Sequence, residues 1–141
     1  MSKLESILLV PDAHIPYHDF KAFELMLRVA KDLKLKHIII IGDFLDFYTV
    51  SSHSKDPNRS RNLVGELKAG EKALDQLDIL KASNKIFIGG NHCDRLQRYL
   101  QDKAPELFDI VSVPELLHLK RRGWQYIPYK KDFQLGKMHF T

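Results

Sequence analysis

The hydrophobic positions of this chain fall into short continuous runs separated by longer amphipathic or polar stretches. "SILLVPD" (6–12), "HIIIIGD" (37–43) and "KIFIGGN" (85–91) are rich in β-branched or aromatic residues and are bounded by Gly, Pro, Asp or Asn. Runs of this kind predict strands covered on both faces, as in a parallel sheet. Between the first two, Phe23, Met26, Leu27, Ala30 and Leu33 recur every three or four residues and predict a helix, with Asp19 as its N-cap. Between the second and third, Leu63, Leu67, Gly70, Leu74 and Leu77 mark one side of a helix over 62–81. Gly70 costs that helix about 1 kcal/mol of propensity. Two strand–helix–strand units result, right-handed by default.

The remainder is less regular. "TVSSHSKDPNRSRN" (49–62) is polar throughout and reads as a loop, long enough to raise a functional question. A short helix is expected around 96–101, and one or two short helical pieces over 105–119, where Pro105 and Pro114 suit first helical turns. "WQYIPY" (124–129) and "KMHFT" (137–141) read as strands, expected as a hairpin at the far side of the sheet. "KKDFQLG" between them is part strand, part turn.

Composition narrows the class. The 141 residues make one domain, 1–141, and a hydrophobic fraction of 44% suits a packed core. With 22 basic and 18 acidic residues the formal charge is +4, a mild excess that suits a polyanionic substrate without requiring one. Cys93 is the single cysteine, which excludes an intrachain disulfide and a thiolate zinc cluster. With no long apolar stretch, the expectation is a cytoplasmic protein without membrane contact.

The informative feature is where the polar residues fall. Each of the three apolar runs ends in metal-competent side chains: Asp12 and His14, then Asp43 and Asp46, then Asn91 and His92. The carboxyl ends of strands in an open α/β sheet form the usual ligand crevice, so three segments deliver these groups to one rim. Carboxylate and imidazole together suit Mn, Fe or Zn, whereas Mg prefers more oxygen. Taken singly, "DAH", "GDFLD" and "GGNHCD" read equally as caps and turns; in combination and in order they point to a metal site.

Asp12-x-His14, Gly42-Asp43-x-x-Asp46 and Gly90-Asn91-His92 resemble, in order and spacing, the first three motifs of the calcineurin-like metallophosphoesterases, over about residues 6–95. The resemblance implies an α/β sandwich with helices flanking β-sheets, and a two-metal site that hydrolyses a phosphomonoester or phosphodiester with a metal-bound hydroxide. It implies that Asp12 and His14 hold the first metal, that Asp43 bridges both, and that Asn91 ligates the second and touches a phosphate oxygen. His92 would be the non-ligand imidazole that protonates the leaving alkoxide or stabilises its charge. Asp46 would orient His92 or support the site from behind. Arg95 would reach the substrate phosphate, or else form a salt bridge on a helix surface.

The later His-Gly and Gly-His-x-His motifs of that family are absent. After His92 the chain has His118, read as a core-edge or surface residue, and His139, read as an ordinary strand residue. The expectation is therefore one tightly bound ion, with Mn as the first choice, where a complete protein would hold two. Thr141 is expected to mark an N-terminal portion of the family fold, with an open sheet edge suited to self-association. The loop residues His53, Lys55, Arg59 and Arg61 follow the second motif and are candidates for substrate binding, against a plain solvated loop. "HLKRRGWQY" mixes basic and aromatic residues as single-strand binders do, but Trp124 and Tyr126 alternate as core strand residues. The rival to an enzyme is a non-catalytic metal- or nucleic-acid-binding or assembly protein that keeps half of the site.

Overall fold

All three apolar runs are strands: β1 (Ser6–Pro11), β2 (Leu35–Ile41) and β3 (Asn84–Ile88). The computed structural model describes residues 4–59 and 62–140, so Arg61 and Thr141 lie outside the described residues. The strands pair in parallel in chain order, and β4 (Trp124–Ile127) joins the outer side of β3, giving the order β1-β2-β3-β4. The expected hairpin of 124–129 with 137–141 is thus corrected. "WQYI" extends the parallel sheet, and the hairpin forms instead between β5 (Phe133–Leu135) and β6 (Met138–Phe140). Trp124 sits opposite Lys85 in the parallel ladder and is only 4% exposed.

Right-handed crossovers in a sheet that grows in one direction return over one face. The helices α1 (Phe20–Lys31), α2 (Leu63–Asp78), α3 (Asn91–Lys103) and the short α4 (Val113–Leu116) accordingly share a core with Val10, Ile38, Ile40, Phe87 and Trp124. Side chains alternate along a strand, so Ile39, Ile86 and Ile88 point the other way, where Phe133, Leu135 and Phe140 of the hairpin cover them. Both faces are covered, which is why the β2 run is unbroken isoleucine. Ile38, Ile39 and Ile40 are fully buried, each stabilising the fold by roughly 1.5–3 kcal/mol.

The helix ends follow local chemistry. The Asp19 carboxylate accepts from Ala22 N–H at 3.0 Å, and the Asn62 side chain accepts from Gly65 N–H at 3.1 Å. Helix α1 stops at Lys31, which leaves Leu33 outside its apolar stripe and half exposed. Gly70, costly in a helix interior, is buried against the segment after β2: a Cβ there would stand 2.6 Å from Leu45 Cδ2. The short helix expected at 96–101 is longer, spanning α3 in full and starting directly after Gly90. Its first turn was not legible locally because Gly90 gives no side-chain cap; a donor there is met from the loop after β2, as His92 N–H donates to Asp43 Oδ1 at 2.9 Å. Pro105 and Pro114 open short helical pieces as expected.

Trp124 donates its indole N–H to Asp78 Oδ1 at 2.9 Å, and Tyr126 packs on Phe87, so both serve the core as their alternation suggested. His118 is exposed beside Glu71, and His139 is exposed on β6. Among the described residues no helix is long and apolar enough to cross a membrane.

Candidate metal centre

The loops leaving β1 and β2 are stitched together by their own backbones. His14 N–H donates to the Asp43 carbonyl at 2.8 Å, Ile15 N–H to Phe44 at 2.9 Å, and Asp46 N–H to Ile15 at 3.0 Å. Ile15 and Leu45 form an isolated parallel bridge and are fully buried. These apolar anchors fix the two loops side by side and with them the adjoining His14 and Asp46.

The backbone at those residues is in the left-handed region. Asp12 has φ 41°, His14 51°, Asp43 35° and Phe47 52°, after Gly42 at 66°. For non-glycine residues this region costs on the order of 1–3 kcal/mol each, and such residues gather at functional sites. Asp and His tolerate it better than most, which accounts in part for their choice here.

Glycine is required where β3 ends. Any side chain on Gly90 would overlap the Asp43 carboxylate and its backbone nitrogen, so the β2 and β3 loops close only with glycine at that position. The contact brings the first turn of α3 against Asp43. Its carboxylate, 9% exposed as a residue, accepts from His92 N–H and has Oδ2 3.9 Å from His92 Nε2.

Two overlapping groups of ligand atoms result, each within 4.8 Å: Asp12, His14 and Asp43, and His14, Asp46 and His92. His14 belongs to both. Asp46 Oδ2 is 3.3 Å from His14 Nδ1 and 3.8 Å from His92 Nδ1, so this carboxylate is nearer to His14 than to His92. The two imidazoles meet edge to face, with centroids 4.6 Å apart. His92 Nδ1 is buried and makes no hydrogen bond. Burial pushes the His92 ring below its usual pKa; Arg95 and His14 act the same way, while Asp43 and Asp46 oppose the shift.

The donor set could hold a metal ion. Asp12, His14 and Asp43 supply two carboxylates and an imidazole, the mixture that first-row transition metals accept. In the tautomer that carries its proton on Nδ1, toward Asp46, His14 would present Nε2 as the free lone pair, the arrangement common for metal-bound histidine. Asn91 is exposed at the first residue of α3, on the same rim.

The remaining candidates separate. Arg95 reaches the site: its Nη1 donates to the Asp46 carbonyl at 3.0 Å and lies 3.5 Å from Asp46 Oδ1. Lys55 is turned inward, with Nζ donating to the Tyr48 carbonyl at 2.6 Å and also to the Ser51 carbonyl. The Arg59 guanidinium lies 4.7 Å from the Tyr17 ring centroid and 5.0 Å from that of Tyr48. His53 is exposed. Cys93, one residue past His92, faces the core, and burial pushes its thiol up to about 12.

One residue near the site has no signal in the sequence. Glu66, on α2, is 4% exposed and accepts from Tyr48 N–H at 3.2 Å and Thr49 Oγ1 at 3.0 Å. It thereby holds the turn that follows Asp46. Burial raises its pKa, partly offset by these hydrogen bonds. An acidic residue in the first turn of a helix is ordinary, so only the fold reveals that this one is enclosed.

Compared with known proteins, the chain matches no family model and no curated protein. The geometry alone supports a His/Asp metal-binding cluster at the carboxyl edge of a parallel sheet.

Proposed function

We propose that this chain carries the metal-binding half of a phosphoesterase site and acts on a phosphomonoester or phosphodiester. The observation that carries the reading is the meeting of Asp12, His14 and Asp43, all three on left-handed backbone, with ligand atoms within 4.8 Å. Strain of that kind is difficult to account for by packing alone. Asp12, His14 and Asp43 would hold the ion, with Mn as the first choice and Fe, Zn or Mg as others. A divalent cation there supplies Lewis acidity and an activated water.

The chain's own groups do the rest. The Asn91 amide and the positive end of α3 favour an anionic phosphoryl group. His92 offers a ring N–H to the leaving oxygen, and Asp46 steadies both imidazoles. Arg95 adds positive charge behind Asp46. The sandwich that the motif resemblance implies would use the β5–β6 hairpin as part of its second layer.

The two ligand groups found among the described residues share His14, which favours a single tightly held ion. Calorimetric titration with Mn²⁺, paired with turnover of bis-p-nitrophenyl phosphate, tests this. One tight ion and slow hydrolysis, both removed by Asp12→Ala and Asp43→Ala, are expected. Absence of Mn²⁺ affinity, or affinity unchanged in both variants, would sink the reading.

A further inference from the structure

A groove of about 360 Å³ opens beside the site, lined by Val50, Ser51 and Ser52 on one side and by α3 on the other. The α3 wall is Arg95, Arg98, Tyr99, Asp102 and Lys103. Those positions are spaced by three, one, three and one, so they form one continuous face of the helix. Three of the five are cationic and one is acidic. Tyr99 is 44% exposed, a large aromatic ring left open to solvent.

Arg95 is the link between the groove and the candidate metal centre. That residue lines the groove, while its Nη1 donates to the Asp46 carbonyl at 3.0 Å. Asp46 in turn lies 3.3 Å from His14. From Arg95 to Lys103 the helix rises by roughly 12 Å, enough for about three stacked nucleotides at 3.4 Å each. Arg98 Nε pairs with Asp94 at 3.0 Å, but both side chains are widely exposed, at 56% and 40%, and such a pair yields readily to a phosphate.

We infer that this face of α3 is a track for a single-stranded polynucleotide whose phosphodiester end is delivered to the Asp12–His14–Asp43 cluster. Arg98 and Lys103 meet backbone phosphates, and Tyr99 provides a platform on which a base stacks. The short span and the lone aromatic favour a flexible strand over a duplex, whose bases are already stacked. The inference rests on the phosphoesterase reading for its chemistry, but the track's affinity does not require the metal.

The test is fluorescence anisotropy with a fluorescein-labelled oligothymidylate of about twelve nucleotides, in EDTA, between about 50 and 200 mM salt. Wild-type binding that weakens with salt is expected. Arg98→Glu with Lys103→Glu should lower affinity by about tenfold or more and flatten the salt dependence. Tyr99→Ala should lower it by roughly tenfold at constant salt slope. The same charge reversal at Lys31, the last residue of α1, and at Lys34 just beyond it should change binding by less than about twofold. No binding by wild type, or equal loss in the Lys31/Lys34 variant, overturns the track. A parallel Mn²⁺ titration separates the two proposals. Mn²⁺ uptake without oligonucleotide binding defeats the track and keeps the metal reading; stripe-dependent binding without Mn²⁺ uptake does the reverse.

Discussion

Asp46 Oδ2 lies 3.3 Å from His14 Nδ1, joining the loop after β2 to the loop after β1 through side chains as well as backbone. A carboxylate in that position fixes the imidazole tautomer and makes the other ring nitrogen a better ligand. Asp46→Asn keeps the shape but weakens the bond. Mn²⁺ affinity should fall by about 10–100-fold, read by calorimetry, with little change in the unfolding midpoint. An affinity equal to wild type would show that Asp46 does not support His14.

Gly90 tests the closure between the β2 and β3 loops. Ala at this position overlaps the Asp43 carboxylate and backbone nitrogen, so one of the loops must move. The movement also breaks the Asp43–His92 N–H bond at the start of α3. A loss of about 3 kcal/mol in urea unfolding is expected, together with loss of tight Mn²⁺ binding. Wild-type stability would mean that the loops tolerate separation.

Gly70 sets two effects against each other. Replacing glycine by alanine in a helix interior gains about 1 kcal/mol. Here the methyl would meet Leu45 Cδ2 at 2.6 Å and Leu117 Cδ2 at 3.5 Å, and both leucines are fully buried, so Leu45 can yield only by displacing packed neighbours. Overpacking of this kind costs about 1–3 kcal/mol and should win. Gly70→Ala alone should destabilise, whereas on a Leu45→Ala background it should be neutral or stabilising. Equal effects of Gly70→Ala on both backgrounds, measured by urea unfolding, would remove the steric account.

Glu66 predicts a pH dependence. Its folded pKa is raised above the usual 4.5 mainly by burial, so the native state holds its proton more tightly than the unfolded chain. Stability from this group is greatest below the unfolded value and falls as pH rises through the folded one. Glu66→Gln can remake both hydrogen bonds, accepting from Tyr48 N–H and donating to Thr49 Oγ1, without the buried charge. Its melting temperature relative to wild type should be higher at pH 7 than at pH 4. A difference independent of pH would refute the buried-carboxylate account.

The parallel strands and their polar ends were legible because both follow from local rules. A sheet covered on both faces needs unbroken apolar runs such as 37–41, and the groups that follow them must emerge at one edge. The placement of α1 and α2 was equally local, set by apolar spacing and by Asp19 and Asn62. The metal-competent residues Asp12, His14, Asp43, Asp46, Asn91 and His92 could be gathered on the same basis, whereas singling out Asp12, His14 and Asp43 as ligands of one ion came from the motif resemblance. The fate of 124–129 could not, since a four-residue apolar strand carries no mark of its partner. Its place beside β3 depends on pairing with Lys85–Ile88 and on the Trp124–Asp78 contact.

Periodicity and capping act over a few residues, so β1, β2, β3, the two helices between them and the polar side chains at the strand ends were legible along the chain. What those side chains do to one another follows from the folded arrangement. The Asp46–His14 contact, the enclosure of Glu66, the inward turn of Lys55 and the need for glycine at 70 and 90 all arise between segments distant along the chain. The same holds for the α3 face: its basic and aromatic residues follow helical spacing, but only the Val50–Ser52 segment across from them makes a groove. Contacts of this kind depend on where other elements stand, and no local pattern of residues encodes that position.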